Sequence, residues 1–105
     1  MYRATTPTHI FTLPEETDSY REIQVTYQQE GVLLVKHYQD NTLPSGMSLE
    51  GNKVYVRLTQ EETLAFNPKK GAKVQVRVMD FNSNVMASQK YPIAISTCLS
   101  EDILT

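Results

Sequence analysis

Three side chains in this chain have the chemistry of soft or imidazole metal ligands, His9, His37 and Cys98. A zinc-type site needs three or four such donors converging, and ligand pairs normally announce themselves by short spacing. No two of these residues have that spacing, so they read as solvated or edge histidines and a small buried thiol. Cys98 with His37 would make a thiol nucleophile pair, yet no local signature of a catalytic cysteine surrounds Cys98. Carboxylates pair at Glu15-Glu16, Glu61-Glu62 and Glu101-Asp102. Each pair falls before or within an expected helical turn, where negative charge is stabilised by the positive end of the helix dipole. A general acid/base pair needs burial and facing geometry instead. Gly31, Gly46, Gly51 and Gly71 are scattered among turns and form no phosphate-cradling loop. The expectation is a protein without catalytic residues, metal site or cofactor, and not an enzyme.

The six tyrosines, in a chain with no Trp, invite a binding role. Tyr55 and Arg57 are expected on the outward side of one strand, and Gln75 and Arg77 on the outward side of a neighbouring one. Together they would form a flat protein-contact face, since Tyr and Arg often dominate contact energy. The competing reading is that amphipathic tyrosines simply cover the solvated face of a sheet. Tyr20, Tyr38 and Tyr91 are the candidates for a carbohydrate-binding face. A formal net charge of −2, with no basic run longer than Lys69-Lys70, leaves no electrostatic footprint for nucleic acid or an anionic membrane. One cysteine excludes an intrachain disulfide. The N-terminal residues lack a signal-peptide pattern and the longest purely apolar run is Val32–Val35, so cytosolic synthesis without a membrane span is expected.

The stretch Lys53–Asp80 organises the elements that would position these residues. Val54, Val56 and Leu58 alternate with polar neighbours as in a half-buried strand. Thr59-Gln60-Glu61-Glu62 has capping-box spacing and predicts one helical turn. Leu64 and Phe66 would close the core before Asn67–Gly71 reverses the chain into a strand with Val74, Val76 and Val78 inward. Upstream, Pro7–Leu13 reads as a strand with Phe11 and Leu13 inward, followed by a polar break and a short turn near Asp18–Tyr20. Ile23, Val25 and Tyr27 define a second strand. Glu30-Gly31 makes a hairpin to Val32–Tyr38, a nearly continuous apolar run that fits a central strand, with Leu34 inward. Gln39–Gly46 carries the chain between sheets, and Leu49 joins the Lys53 strand through Glu50-Gly51-Asn52. Val85–Ile95 is expected to be one long final strand, interrupted or edged by Pro92, and Ser100-Glu101-Asp102 to cap a last helical turn. The 105 residues fit a single domain, 1–105. About seven strands with turn signals every 8–12 residues predict an all-β, immunoglobulin-like antiparallel sandwich with one short capped helical turn. A small barrel is the alternative.

Thr6-Pro7-Thr8, Phe11-Thr12-Leu13-Pro14, Leu58-Thr59-Gln60-Glu61-Glu62-Thr63-Leu64 with Phe66, Val74-Gln75-Val76-Arg77-Val78 and Ala87-Ser88 resemble a family of small phage and prophage proteins of Gram-positive bacteria. Members of that family are thought to be structural components of the tail or baseplate. The resemblance spans nearly the whole chain and supplies no active-site residues. It implies a virion protein, made in the bacterial host cytoplasm, that assembles with other phage structural proteins or with itself. His9 departs from the apolar residue that would suit its face, so that end of the first strand is expected to be exposed. A carbohydrate- or cell-surface-binding accessory module is the alternative function.

Overall fold

Ile23, Val25 and Tyr27 are buried, as are Val54, Val56 and Leu58, and Val74, Val76 and Val78. Their period-2 spacing turns each strand's apolar side to one interior. In a computed structural model of residues 1–105 these strands form two antiparallel sheets packed face to face. The smaller sheet has the order β1 (Thr8–Thr12), β5 (Lys53–Arg57), β4 (Met47–Glu50). The larger runs β3 (Val32–Gln39), β2 (Tyr20–Gln29), β6 (Ala72–Asp80), and then β7 (Val85–Ala87), with β8 (Tyr91–Ile93) also on β6. The fold is therefore all-β with an immunoglobulin-like sandwich architecture, and its core draws Val, Ile, Leu and aromatic side chains from both sheets.

A five-residue helix, α1 (Gln60–Leu64), links the sheets, and its capping box is complete. The Thr59 hydroxyl accepts from the Glu62 N–H at 3.1 Å, and the Glu62 carboxylate accepts from the Thr59 N–H at 2.9 Å. Thr63 and Phe66 are buried beneath the link, while Leu64 is only half-buried. The following turn is held by Gln29, a buried amide on β2. It donates to the carbonyls of Asn67 and Lys70 and accepts from the Asn67 N–H, so burial leaves none of its strong bonding capacity wasted. On the other crossing, from β3 to β4, Gly46 takes a φ of +84°. A Cβ there would collide with the Arg57 carbonyl, whose own N–H donates to the Gly46 carbonyl at 2.7 Å.

Five expectations need correction. β5 and β6 are not neighbours: the Thr59–Gly71 link carries the chain from the smaller sheet to the larger, and the two strands end up in different sheets. β3 is an edge strand, not a central one; its outward Leu33 and Val35 are exposed, while Leu34 does face inward with Val32, Lys36 and Tyr38. The final strand is broken in two at Ser88–Lys90, making eight strands. There Ser88 bonds the Val76 backbone both ways, its N–H donating to the carbonyl and its hydroxyl accepting the N–H, which replaces a ladder rung and lets the chain jog. The C-terminal residues 97–105 form no helical turn, and Ser100 bonds the Asp102 side chain instead of a backbone N–H. Finally, His9 is half-buried on the inward side of β1 between exposed Thr8 and Ile10, because its ring finds the Tyr27 hydroxyl as a polar partner.

Candidate functional site

The four residues expected to share one contact face lie on two. Tyr55 and Arg57 point outward from β5, where their cross-strand partners on β1 are Ile10 and Thr8. Gln75 and Arg77 point outward from β6 on the opposite side of the molecule. There Arg77 donates twice to the Gln24 side-chain carbonyl, at 2.9 and 3.0 Å, and Gln75 donates to the Ser88 carbonyl at 2.9 Å. Outward pointing was legible from strand alternation, whereas sheet membership depended on where the Thr59–Gly71 link led.

The imidazole and thiol groups do not meet. His9 Nδ1 lies 2.6 Å from the Tyr27 hydroxyl, His37 Nε2 lies 2.8 Å from a Glu22 carboxylate oxygen, and Cys98 Sγ donates to the Arg3 carbonyl at 3.3 Å. Burial, and secondarily the positive charge of the N-terminal amine, holds His9 below the ordinary histidine range. Burial and then the Glu62 charge push the Tyr27 hydroxyl above the ordinary tyrosine range. Neutral His9 and neutral Tyr27 thus form the pair. Deeper toward β4, Lys36 reaches inward to a Glu62 carboxylate oxygen at 2.7 Å and the Ser45 carbonyl at 3.0 Å. Burial opposes ionisation of Glu62, but its bonds from Lys36 and Thr59 and the Lys36 charge outweigh that and hold the carboxyl low. The members of this polar network bond to one another, and none of His9, Tyr27, Lys36 and Glu62 lines the groove described below.

Of the four sheet edges, β3 and β1 are the two longest single strands that turn backbone groups outward. Glu30-Gly31 is a two-residue hairpin closed by Gln29 and Val32, so Val32, Leu34, Lys36 and Tyr38 bond to β2. Leu33, Val35 and His37 consequently turn their N–H and C=O groups away from the sheet. The side chains of Leu33 (66 % exposed) and Val35 (41 %) also face solvent, in a strand of eight residues without proline. On β1, Leu58 donates to Pro7 and Leu13 donates to Asn52, which places the odd-numbered residues on the β5 side. Thr8, Ile10 and Thr12 therefore present theirs outward.

Beside the β1 edge the sandwich stands open. Phe11, Leu13 and Tyr20 line one side of a groove whose floor is Val76, Val78, Met86 and Tyr91, enclosing about 580 Å³. Sequence reasoning missed this groove. The exposure of Met86 beside buried Val78 is its only local signal, and that depends on knowing that β7 ends after three residues. Of the tyrosines considered for sugar binding, Tyr20 is buried with its hydroxyl accepting from the Glu15 N–H, and Tyr91 is part of the groove floor. Tyr38 lies on β3, at the far edge of the larger sheet. No helix is long and apolar enough to cross a membrane. No protein-family model matches the chain, and no curated protein matches it as a relative.

Proposed function

We propose that this protein is a non-enzymatic structural or assembly component of a phage or prophage particle, a tail or baseplate part acting through contacts with itself and with neighbouring particle proteins. The particle assignment rests on the segment resemblance described above. The contact mode rests on one observation: β3 is an eight-residue edge strand with free N–H and C=O groups at Leu33, Val35 and His37 and with exposed Leu33 and Val35. Long apolar edges of that kind are templates for pairing with another chain. Two copies of β3 in antiparallel register centred on Val35 would match every free group with its symmetry mate, giving a closed two-fold contact and one continuous sheet. Lys36, the one charged residue with an inward side chain on this strand, is held by Glu62 and Ser45 within its own sandwich, and the outward side presents Leu33 and Val35 followed by His37, which is paired with Glu22. The carbohydrate-binding alternative draws no support from Tyr20, Tyr38 and Tyr91, which share no exposed platform.

Light scattering across protein concentration tests the contact mode. Wild type is expected to dimerise, and Val35→Pro to dimerise at least tenfold more weakly while folding normally, because the Val35 N–H is not part of the β2 ladder. A wild-type monomer at all concentrations would remove the β3 edge. Mass spectrometry of purified particles from an induced lysogen tests the assignment. A fixed copy number per particle supports it, and absence from the particles sinks it.

A further inference from the structure

We propose that the groove between β1 and the β7–β8 edge is a strand-acceptor site, filled by an extended, uncharged segment of a partner protein that becomes the fourth strand of the smaller sheet. The smaller sheet has three strands, whereas the larger has four rows, because β7 and β8 follow one another along the same edge of β6. The N-terminal residues pair with the chain just beyond β8, but Met86 and Tyr91 of the fourth row stay about half exposed. Met86 and Tyr91 from that row, with Val76 and Val78 of β6, form the groove floor where a fourth strand would lie. Directly beside it, β1 holds out the N–H and C=O groups of Thr8, Ile10 and Thr12, all without partners. They recur at every second residue, the spacing of an antiparallel or parallel ladder. A small apolar molecule would cover the floor and leave these groups unpaired; an added strand satisfies both.

The lining defines the occupant's chemistry. None of the twelve residues around the groove carries a formal charge, and nine are hydrophobic. Side chains pointing into it must therefore be apolar, since a buried charge would find no counter-charge there. The alternate side chains would emerge on the outer face beside Thr8, Ile10 and Thr12 and can be polar. Five residues of β1 extend roughly 17 Å, so the segment needs about five to seven residues. A second copy's β1 does not fit. It carries its own β6–β8 rows beneath it, and joining two β1 edges about a two-fold axis would place both β7–β8 edges in one space. The site lies at the opposite edge of the sandwich from β3, so this inference and the self-association reading fail separately.

The probe is a seven-residue peptide alternating Val and Thr, with a lysine at each end for solubility. Its binding is followed by NMR amide exchange on the full chain. The Thr8, Ile10 and Thr12 amides are expected to slow at least tenfold on binding. A peptide of the same composition with its valines consecutive should bind at least tenfold more weakly, as should the alternating peptide to Met86→Glu or Ile10→Pro. Because the amide readout uses the wild-type chain, misfolding of either variant leaves the test intact. Three results would overturn the inference. One is no saturable binding of the alternating peptide at millimolar concentration. Another is an apolar dye that perturbs the groove while the peptide leaves those amides unprotected, which marks a small-molecule pocket. The third is a homodimer abolished by Ile10→Pro, which makes a second copy the occupant.

Discussion

His9 shows how one residue takes its role from its partner. A histidine on an apolar strand face looks misplaced, yet the Tyr27 hydroxyl 2.6 Å away gives its ring a neutral hydrogen bond, and the half-buried site disfavours a second proton. The linkage sign follows: the unfolded chain takes up this proton near pH 6.5 and the folded chain resists it, so stability present above pH 6.5 is lost as pH falls through the lower folded value. Urea midpoints measured from pH 7.5 to 5 should decline in wild type and decline less in His9→Gln. Equal slopes would show that His9 is not the titrating group. Glu62 adds a second loss in the same direction at lower pH, below its unfolded value of 4.5, because its folded pKa is depressed. Tyr27 acts at the other extreme, where stability falls as pH rises above 10.

At the scale of elements, the Thr59–Phe66 link is where local sequence and global topology agree. The capping box stops β5, starts α1 and turns the chain toward the larger sheet, which leaves Thr63 and Phe66 as the buried residues of the link. Thr59→Ala removes the hydroxyl acceptor of the Glu62 N–H and should cost about 1 kcal/mol of unfolding free energy. Val76→Ala deletes buried methyls at the centre of β6 and should cost roughly 2 kcal/mol through the cavity left behind. Denaturant unfolding of both variants decides the matter. A smaller loss for Val76→Ala than for Thr59→Ala would indicate that the groove beside Val76 lets the core relax. β3 and β7–β8 illustrate the opposite case, in which local composition reads one way and neighbours decide another. The apolar run Val32–Val35 serves an edge, with Leu33 and Val35 outward, and the stretch Val85–Ile95 is cut at Ser88 by bonds to Val76.

For the whole molecule, the division into two sheets sets which surfaces can act together. Tyr55 and Arg57 on one outer face and Gln75 and Arg77 on the other are separated by the sandwich core, about 10 Å thick before side chains are counted. Replacing each pair by alanine should therefore give unfolding free-energy changes that add to within about 0.5 kcal/mol when combined. A larger coupling in urea unfolding would mean that the faces communicate. Strand alternation at Ile23/Val25/Tyr27, Val54/Val56/Leu58 and Val74/Val76/Val78, the Thr59 cap and the Glu30-Gly31 hairpin were all legible in the sequence. Each is a short-range relation, a period of two or a hydrogen bond within three residues. The sequence alone thus determined the all-β class, the inward faces and the one helical turn. It also determined that Tyr55, Arg57, Gln75 and Arg77 point outward. Tertiary structure alone decided that these four divide between opposite faces, that β3 is an edge, that His9 meets Tyr27 and that a groove opens between β1 and β7–β8. Those outcomes depend on which strands pair across long chain separations, and pairing is settled by the combined burial of both sheets, to which no local stretch of residues holds the key.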